Sequence, residues 1–152
     1  MPERPPDDLH QFAFDLDRAI SEQVVERLEN SPALPFAKGV GPAASGVYAL
    51  YHRGKLVYIG KATKELTKSG RTLRARLNEH VGKLSKRQIK MTDLKCRFLT
   101  FESEWWVIAA EFALIVRYEP AWNASGFGSK TPGIGRPGTD RVSKFDQLFP
   151  QA

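Results

Sequence analysis

Hydrophobic positions recur at helical spacing near the start of the chain. Apolar residues return every three or four positions with charged residues between them, which is the pattern of an amphipathic helix. These positions are Leu9, Phe12, Leu16, Ile20, Val24 and Leu28. The pattern stops just before Pro32. We therefore predict a frayed tail at residues 1–8, a helix over residues 9–30, and a loop that reaches Ser45.

Two short runs of strand-favouring residues follow this loop. GVYALYH (46–52) and LVYIGKA (56–62) are rich in valine, tyrosine and leucine, and the glycine-bearing stretch Arg53-Gly54-Lys55 joins them. So short a connection between two such runs predicts an antiparallel β-hairpin. LKCRFLTF (94–101) has a similar composition and predicts a third strand.

Helical spacing returns twice in the second half of the chain. The first predicted helix runs from Arg71 to about Lys86, with one apolar face. That face consists of Leu73, Leu77, Val81 and Leu84. The second runs from Glu104 to about Tyr118, with Ser103 placed to cap its N-terminus and Pro120 ending it. Its apolar run is too short to cross a bilayer, so we interpret it as a buried helix.

The order of these elements predicts an α+β fold with a small three-stranded, mostly antiparallel sheet and helices packed on it. A length of 152 residues fits one domain. Within a single domain over residues 1–152, we expect a catalytic core at residues 46–123. A glycine-rich loop and tail follow at residues 124–152.

Composition adds two constraints to this picture. The formal net charge of +6 favours polyanionic partners, because basic surfaces release counterions when they bind nucleic acid. Cys96 is the only cysteine, which excludes a disulfide framework and a thiolate zinc site. A reducing cytoplasm is the simplest location for such a chain.

The hairpin carries two tyrosines in glycine-bounded motifs. Tyr48 ends the motif GVY and Tyr58 begins the motif YIG. Glycine lets the backbone approach a ligand or another strand closely, and neighbouring strands can bring the two phenols together on one face. Either tyrosine alone is an ordinary strand residue. The combination with Gly60 and Lys61 is more specific.

The helix after the hairpin carries several basic residues. They are Arg71, Arg74, Arg76, His80 and Lys83. Arg76 and His80 lie four positions apart, so their side chains can converge on one point. An arginine fork suits a phosphate, and a histidine can move a proton near neutral pH. A solvated basic face is the alternative interpretation.

Glu111 is the only charged residue among the twelve from Trp105 to Val116. Burying an unpaired carboxylate is costly, so such a residue needs a cationic partner or a metal ion. An ion pair with an arginine is one alternative. The other is Mg²⁺, which takes one or two carboxylates together with water and phosphate oxygens. Asn123 follows this helix and fits either a phosphate contact or a simple turn.

Taken in order, these motifs resemble the GIY-YIG nuclease superfamily, and in particular its type II restriction endonuclease branch. The likeness rests on GVYALYHRGK, YIGKA, the Arg76-x-x-x-His80 helix, a carboxylate twelve residues before Asn123, and the GFG…PGIGR segment. It covers roughly residues 9–140. The glycine-rich segment follows no strand and opens no helix, so it is not a nucleotide-binding fingerprint.

The resemblance implies metal-assisted hydrolysis of phosphodiester bonds to a 5′-phosphate and a 3′-hydroxyl. Tyr48 would orient or deprotonate the attacking water, with His80 as proton acceptor. Tyr58 would contact the phosphate or position the nucleophile. Arg76 would hold the scissile phosphate and offset its developing charge. Glu111 would hold Mg²⁺, or Mn²⁺ as a substitute.

The resemblance also implies lesser roles around this centre. Asn123 would steady the phosphate or the metal site. Lys61 would lower the pKa of a phenol or contact the DNA backbone. We further expect DNA contacts from Arg71, Arg74 and Lys83.

Three functions remain open at this stage. The first is a restriction-like enzyme that cuts double-stranded DNA as a homodimer on palindromic sites. The second is a structure-selective or repair nuclease that acts as a monomer, and the third is a DNA-binding module without turnover. We expect no membrane association and no nucleotide cofactor.

Overall fold

The computed structural model of the protein describes residues 15–66, 68, 70–124 and 144–152. Over these residues the chain combines helices with an antiparallel sheet, which confirms the predicted α+β class. The predicted tail at 1–8, the start of the N-terminal helix at 9–14 and the glycine-rich loop at 126–138 lie outside the described residues.

The N-terminal helical segment contains a change of helix type. It consists of α1 (Leu16–Ile20), a π-helical turn (Ser21–Val25) and α2 (Glu26–Asn30). Its end at Asn30 confirms the predicted boundary, whereas the apolar periodicity gave no sign of the π turn. Leu28 is buried on the inner side of this segment, against one face of the sheet.

The predicted hairpin is confirmed. It consists of β2 (Gly46–His52) and β3 (Lys55–Ala62), paired antiparallel. The two turn residues, Arg53 and Gly54, both have positive φ angles of 52° and 80°. This conformation matches the right-handed twist of the paired strands, which explains why so short a connection joins them.

The sheet has four strands in the order β1-β4-β2-β3, so the prediction of three strands is wrong by one. The predicted third strand is β4 (Leu94–Thr100), which pairs antiparallel with β2. The additional strand, β1 (Leu34–Pro35), pairs with β4 inside the region predicted as a loop. Proline is tolerated there because β1 lies at the edge of the sheet. The opposite edge is β3.

Two helices cover opposite faces of the sheet. The first is α3 (Leu73–Leu84), and its four predicted apolar positions are all buried. Its side of the sheet holds the α3-side cluster, which includes Tyr48, Leu50 and Tyr58 of the hairpin. A short C-terminal helix, α5 (Lys144–Leu148), adds Phe145 to the same cluster.

The second covering helix, α4 (Glu104–Tyr118), has the predicted bounds. It packs beside α1 and the π-helical turn on the α4-side cluster. The members of this cluster are Val25, Leu28, Val47, Ala49, Ile59, Val107, Ala110 and Leu114. Successive strand residues point to opposite faces, so β2 and β3 supply both clusters.

The prediction that α4 is a buried helix is wrong for its outer face, where Trp105 and Phe112 are exposed. Ser103 occupies the N-cap position of α4, but its side chain makes no capping hydrogen bond. Among the described helices, none has the length and apolar character needed to span a membrane.

Candidate active site

The two predicted tyrosines lie together on the α3 side of the hairpin. In the strand register Tyr48 faces Gly60 and Tyr58 faces Leu50, so the tyrosines are diagonal neighbours across the pair. Their ring centroids are 6.0 Å apart. This arrangement confirms the expectation that the phenols share one face of adjacent strands.

The glycines of the two motifs are required by close approaches within the sheet. A Cβ atom placed on Gly60 would overlap the ζ carbon and the hydroxyl of Tyr48, so the absent side chain is the space that this phenol occupies. A Cβ atom on Gly46 would overlap the carbonyl oxygen of Leu99 on β4. Gly60 therefore shapes the site directly, and Gly46 allows β2 to approach β4.

His80 joins the tyrosines from α3. Its Nε2 atom lies 2.6 Å from the hydroxyl oxygen of Tyr48 in a buried hydrogen bond. Its ring also meets the ring of Tyr58 edge-on, with centroids 5.3 Å apart. The side chain of Thr72 caps the start of this helix by accepting the backbone N–H of Ala75. The capped helix thus holds His80 against the hairpin.

Burial keeps this trio uncharged. It raises the pKa of Tyr48 well above the usual value of 10.0, with a further increase from neighbouring Tyr58. Burial, followed by the charge of Glu111, also raises the pKa of Tyr58. The pKa of His80 falls to about 3, first through burial and then through Arg76 and Lys83. Near pH 7 the protein groups alone therefore keep both phenols protonated and the imidazole neutral.

Arg76 lies within electrostatic range of all three rings, because its charge lowers the pKa of Tyr48, Tyr58 and His80. An ion pair with Glu79 holds it, with 3.3 Å between Nη1 and Oε2. Arg71 also pairs with the carboxylate of Glu79. Glu79 was not among the predicted site residues, although its spacing of three residues from Arg76 was a usable signal.

Glu111 reaches the same site from α4, since its charge raises the pKa of both Tyr48 and Tyr58. Its Oε1 atom lies 3.1 Å from Nζ of Lys61 on β3, so its partner is a lysine of the hairpin and not an arginine. The side chains of Glu111 and Lys61 are 20% and 35% exposed. The ion pair therefore lies at the surface, where a cation or a phosphate can reach it.

The donor set fits a hard cation that binds few protein ligands. No group of three or more His, Cys, Asp or Glu side chains is placed to hold a metal in the part of the chain that the structure describes. Glu111 offers a single accessible carboxylate. Mg²⁺ commonly binds through one or two carboxylates and fills its other positions with water and phosphate oxygens.

The side chains of the candidate site meet at the edge strand β3, and they approach this strand from both faces of the sheet. Tyr48, Tyr58 and His80 belong to the α3 side. Lys61 and Glu111 belong to the α4 side, because Lys61 alternates with Gly60 along the strand. The predicted residues of the hairpin, α3 and α4 are thus brought together at one end of the sheet.

Asn123 is hydrogen-bonded to the backbone of β3. Its Oδ1 accepts the N–H of Ile59 at 2.9 Å, and its Nδ2 donates to the carbonyl of Ile59 at 2.8 Å. The backbone N–H of Trp122 donates to the carbonyl of Val57 at 2.9 Å. The structure therefore places Asn123 beside Tyr58, as a clamp on the strand. Its role at a phosphate or metal stays a prediction.

The basic residues of α3 that were predicted to contact DNA occupy different surroundings. Lys83 is exposed and close enough to lower the pKa of His80. Arg71 is held beside the site by Glu79. Arg74 points to the preceding loop, where its Nε donates to the carbonyl of Gly41 at 2.9 Å. Arg71 and Lys83 are thus the better placed of the three to meet a ligand at the site.

Glu104 is a second residue that the sequence did not reveal. Its carboxylate accepts the backbone N–H groups of residues 64–66, which directly follow β3. It also accepts the hydroxyl of Ser45 at 2.5 Å, and this bond is the main cause that lowers the pKa of Glu104. Glu104 thereby ties the loop after the YIG strand to the start of α4. An acidic residue in the first turn of a helix is too common to have signalled this.

Comparison with known proteins places the chain in a family. Residues 56–151, more than half of the chain, match the family described as the Eco29kI GIY-YIG domain. The matched span contains Tyr58, Arg76, His80, Glu111 and Asn123. It begins after the strand that carries Tyr48, which the structure adds to the group. No curated protein matches the chain significantly. The chain therefore belongs to the Eco29kI GIY-YIG domain family, a restriction endonuclease-type family, and is an endonuclease domain with DNA as its substrate.

Proposed function

We propose that the chain is a Mg²⁺-dependent restriction-type endonuclease that hydrolyses double-stranded DNA to 5′-phosphate and 3′-hydroxyl ends. The observation that carries this proposal is the convergence of two phenols, an imidazole, a guanidinium and a carboxylate at the edge of β3. Residues 46–123 contain all of these groups and form the proposed catalytic core. Cys96 is a buried free thiol and the only cysteine, which supports a cytoplasmic location.

Tyr48 and His80 form the proposed proton path. A water molecule that donates to the hydroxyl oxygen of Tyr48 is oriented toward the phosphate, while the Tyr48 hydroxyl donates to Nε2 of His80. As the water attacks phosphorus, its proton passes to Tyr48 and the phenolic proton passes to His80. A phosphate beside His80 adds negative charge, which raises the pKa of the imidazole and makes it a better proton acceptor.

Arg76 is the proposed phosphate ligand. Its planar guanidinium presents paired donors that match two phosphate oxygens, and it stabilises the negative charge that develops on them. The ion pair with Glu79 orients this side chain before DNA binds. Arg71 also pairs with the Glu79 carboxylate, so a second guanidinium lies close enough to bind a neighbouring phosphate.

Glu111 is the proposed metal ligand. When bound, Mg²⁺ supplies Lewis-acid stabilisation of the departing 3′ oxygen, and Mn²⁺ is a chemically similar substitute. GIY-YIG nucleases are generally dependent on a divalent metal. Lys61 neutralises this carboxylate in the absence of an ion, because its ammonium group lies 3.1 Å from Oε1. A cation that displaces the lysine would leave its ammonium group available to a DNA phosphate.

Double-stranded DNA is proposed as the substrate on the basis of the family and of charge. The net charge of +6 favours a polyanion, and Lys61, Arg71 and Lys83 surround the site with cations. Asn123 supports the same arrangement through its hydrogen bonds to Ile59, which fix the strand that carries Tyr58 and Lys61.

The direct test is incubation of a supercoiled plasmid with the protein in Mg²⁺, in Mn²⁺ and in EDTA. We expect discrete linear fragments with either cation and intact plasmid in EDTA. Fragments that a DNA ligase rejoins without prior kinase treatment would establish 5′-phosphate and 3′-hydroxyl ends. Nicks or cleavage of branched DNA alone would favour a structure-selective enzyme, and DNA that is bound but uncut would overturn the proposed activity.

Glu111→Gln tests the metal ligand. We expect a loss of cleavage of roughly 10³-fold or more, since the variant lacks the charge that holds the cation. DNA affinity measured in EDTA should change little. Glu119→Gln, which removes the same charge just after α4, is the matched control and should cut like the wild type. Full activity of Glu111→Gln would remove Glu111 from the metal site.

A further inference from the structure

Three segments of the chain meet at the carboxylate of Glu104, the first residue of α4. One segment is α4 itself. The second ends at Ser45, just before β2, whose hydroxyl donates to Oε1 of Glu104 at 2.5 Å. The third is the loop after β3, where the backbone N–H groups of Lys64, Glu65 and Leu66 donate to the two carboxylate oxygens. We refer to this arrangement as the Glu104 junction.

The junction holds the open end of the hairpin on both strands. Ser45 lies three positions before Tyr48 on β2, and the loop at residues 64–66 begins three positions after Lys61 on β3. The first N–H of this loop also donates to the Ser45 hydroxyl at 3.0 Å. The two strand ends are therefore bonded to each other as well as to Glu104, close to two side chains of the candidate active site.

The loop after β3 returns to the same place before α3 begins. The backbone N–H of Arg71 donates to the carbonyl of Thr63 at 3.2 Å. A Cβ atom on Gly70 would overlap the carbonyl oxygen of Lys64, so the two ends of the loop are packed directly against each other. The loop is thus closed at its base, and the junction fixes the side of the base that continues from β3.

The α4 side of the junction leads to the proposed metal ligand. Glu104 and Glu111 lie seven positions apart, which is about 20° apart around a helix, so they share one side of α4. Glu111 pairs with Lys61 on β3 at 3.1 Å, and Glu104 holds the loop that follows β3. Two carboxylates of one helix therefore fix the end of the same strand, one through a side chain and one through the backbone.

We propose that Glu104 is a positioning residue for the nuclease reaction, which keeps α4 and its Glu111 at a fixed distance from the hairpin that carries Tyr48. This inference rests on the proposed function, in which Glu111 holds the metal and Tyr48 orients the water. A displacement of about 1 Å in a reacting group can cost roughly 10²-fold in rate. Side chains that never touch the substrate provide such precision by holding the elements that do.

A carboxylate suits this task because its two ionised oxygens accept several hydrogen bonds at once. The bond from Ser45 is the main cause that lowers the pKa of Glu104, and the backbone N–H groups lower it further. Hydrogen bonds to an ionised acceptor are stronger than those between neutral groups. A competing explanation is that an acid in the first turn only stabilises the helix dipole of α4. The two explanations differ in what loss of the carboxylate does to the loop and to turnover.

The first experiment measures how firmly the loop is held, without reference to cleavage. In Glu104→Ala, amide hydrogen exchange followed by NMR should be at least about 10-fold faster at Glu65 and Leu66, because these N–H groups lose their acceptor. The amide of Leu114, in the buried part of α4, should exchange as in the wild type. Glu102→Ala removes the same charge at an exposed position two residues earlier. It is the matched control and should leave the loop unchanged.

The second experiment separates kcat from KM on a defined DNA substrate in Mg²⁺. Glu104→Ala should lower kcat about 10-fold and change KM by no more than about 2-fold, because the displaced groups act after DNA has bound. Glu104→Gln keeps one acceptor oxygen and should remain within about 3-fold of the wild-type kcat. Glu102→Ala should match the wild type. Circular dichroism verifies the fold of each variant.

A double-mutant cycle tests whether Ser45 acts through the same junction. Ser45→Ala alone should lower kcat, because its hydroxyl joins β2 to Glu104. The variant that combines Ser45→Ala with Glu104→Ala should lose less than the product of the two single losses, as expected for residues that share one set of hydrogen bonds. Losses that multiply would show that Ser45 and Glu104 act separately, contrary to the junction.

Three further results would overturn the proposal. The first is unchanged exchange at Glu65 and Leu66 in Glu104→Ala. The second is faster exchange with a wild-type kcat, and the third is a lower free energy of unfolding with full turnover per folded molecule, as a helix stabiliser would give. A wild-type chain that does not cut DNA in Mg²⁺ is a different failure. It would refute the proposed function, and this role with it, before any substitution at Glu104.

Discussion

The two faces of the sheet are built from the same strands but contain different chemistry. On the α4 side, β2 and β3 contribute Val47, Ala49 and Ile59 to a wholly apolar cluster. On the α3 side, alternate positions of the same strands place Tyr48 and Tyr58 against His80. The alternation of a β-strand thus lets one hairpin supply a wholly apolar cluster on one face and two buried phenols beside an imidazole on the other, while Lys61 and Glu111 approach the site from the α4 side.

The two faces should contribute differently to folding. Burial of a large apolar side chain stabilises a protein by about 1.5–3 kcal/mol, and the α4-side cluster contains several such residues, among them Leu28, Ile59 and Leu114. On the α3 side, the Tyr48 hydroxyl and the His80 imidazole lose water on burial and gain a hydrogen bond to each other, which leaves a small net effect. Substitutions in the α4-side cluster should therefore change stability, and substitutions of the polar site residues, Glu111 included, should change turnover.

Arg76→Ala should show the largest difference between a loss of turnover and a loss of stability. We expect turnover to fall by about 10³-fold, equivalent to about 4 kcal/mol of transition-state stabilisation. The free energy of unfolding should change by no more than about 1 kcal/mol, because the Arg76 side chain is half-buried and its ion pair with Glu79 is partly solvated. Arg74→Ala is the control on the same helix, since Arg74 contacts the Gly41 carbonyl instead of the site. A change limited to salt-dependent DNA affinity would make Arg76 a backbone anchor.

Leu114→Ala should show the reverse pattern on the α4 side. Leu114 is fully buried, and truncation of a buried leucine costs about 3 kcal/mol through lost contacts and a residual cavity. Urea denaturation should record this loss, while turnover per folded molecule stays at the wild-type level. Leu148→Ala, at an exposed position, should leave stability almost unchanged. A turnover defect in folded Leu114→Ala would show that the two faces are coupled.

Tyr48→Phe should reduce turnover by about 100-fold, or about 2.7 kcal/mol, because it removes the hydroxyl that orients water. The free energy of unfolding should fall by about 1–3 kcal/mol, because the buried Nε2 atom of His80 loses its hydrogen-bond partner, and the variant should stay folded. Tyr51→Phe is a matched control: it lies on the same strand and packs on the α4 side. Steady-state cleavage of a defined DNA substrate measures both variants. Equal activity of Tyr48→Phe and wild type would contradict the proposed proton path.

His80 should give the protein a measurable pH dependence of stability. Its pKa of about 3 in the folded state lies below the unfolded value of about 6.5, so the unfolded chain binds more protons in mild acid. Stability should therefore fall by about 2 kcal/mol between pH 7 and pH 5 from this residue alone. His80→Asn should lack that contribution. Urea denaturation of the wild type and of His80→Asn at pH 7 and pH 5 measures this contribution. An equal loss of unfolding free energy in both proteins would contradict the burial of a neutral imidazole.

Local sequence patterns predicted the elements whose signals are contained within a few residues. The hairpin followed from two strand-like runs and a short turn, and α3 followed from four apolar residues at helical spacing. The two-residue strand β1 carried no comparable signal, because it is defined by pairing with Cys96 and Lys95, about sixty positions later. The outer face of α4 was misjudged since hydrophobicity shows that a residue is apolar, not that another element covers it.

In the candidate site, too, the sequence predicted some features and tertiary pairing determined the others. Residue types and their order indicated which side chains belong together, and the structure brings the tyrosines, Arg76, His80 and Glu111 to one place. Their immediate partners come from tertiary geometry that no motif specifies. The pairing of Glu111 with Lys61 and that of Asn123 with Ile59 each join elements that are fifty or more residues apart.

The hydrogen bonds of Asn123 have a consequence for how the protein behaves at high concentration. A strand at the border of a sheet exposes unpaired N–H and C=O groups, and such a border invites strand addition from other molecules and hence aggregation. The amide of Asn123 and the N–H of Trp122 satisfy Ile59 and Val57 as a neighbouring strand would. They block intermolecular pairing through the middle of β3.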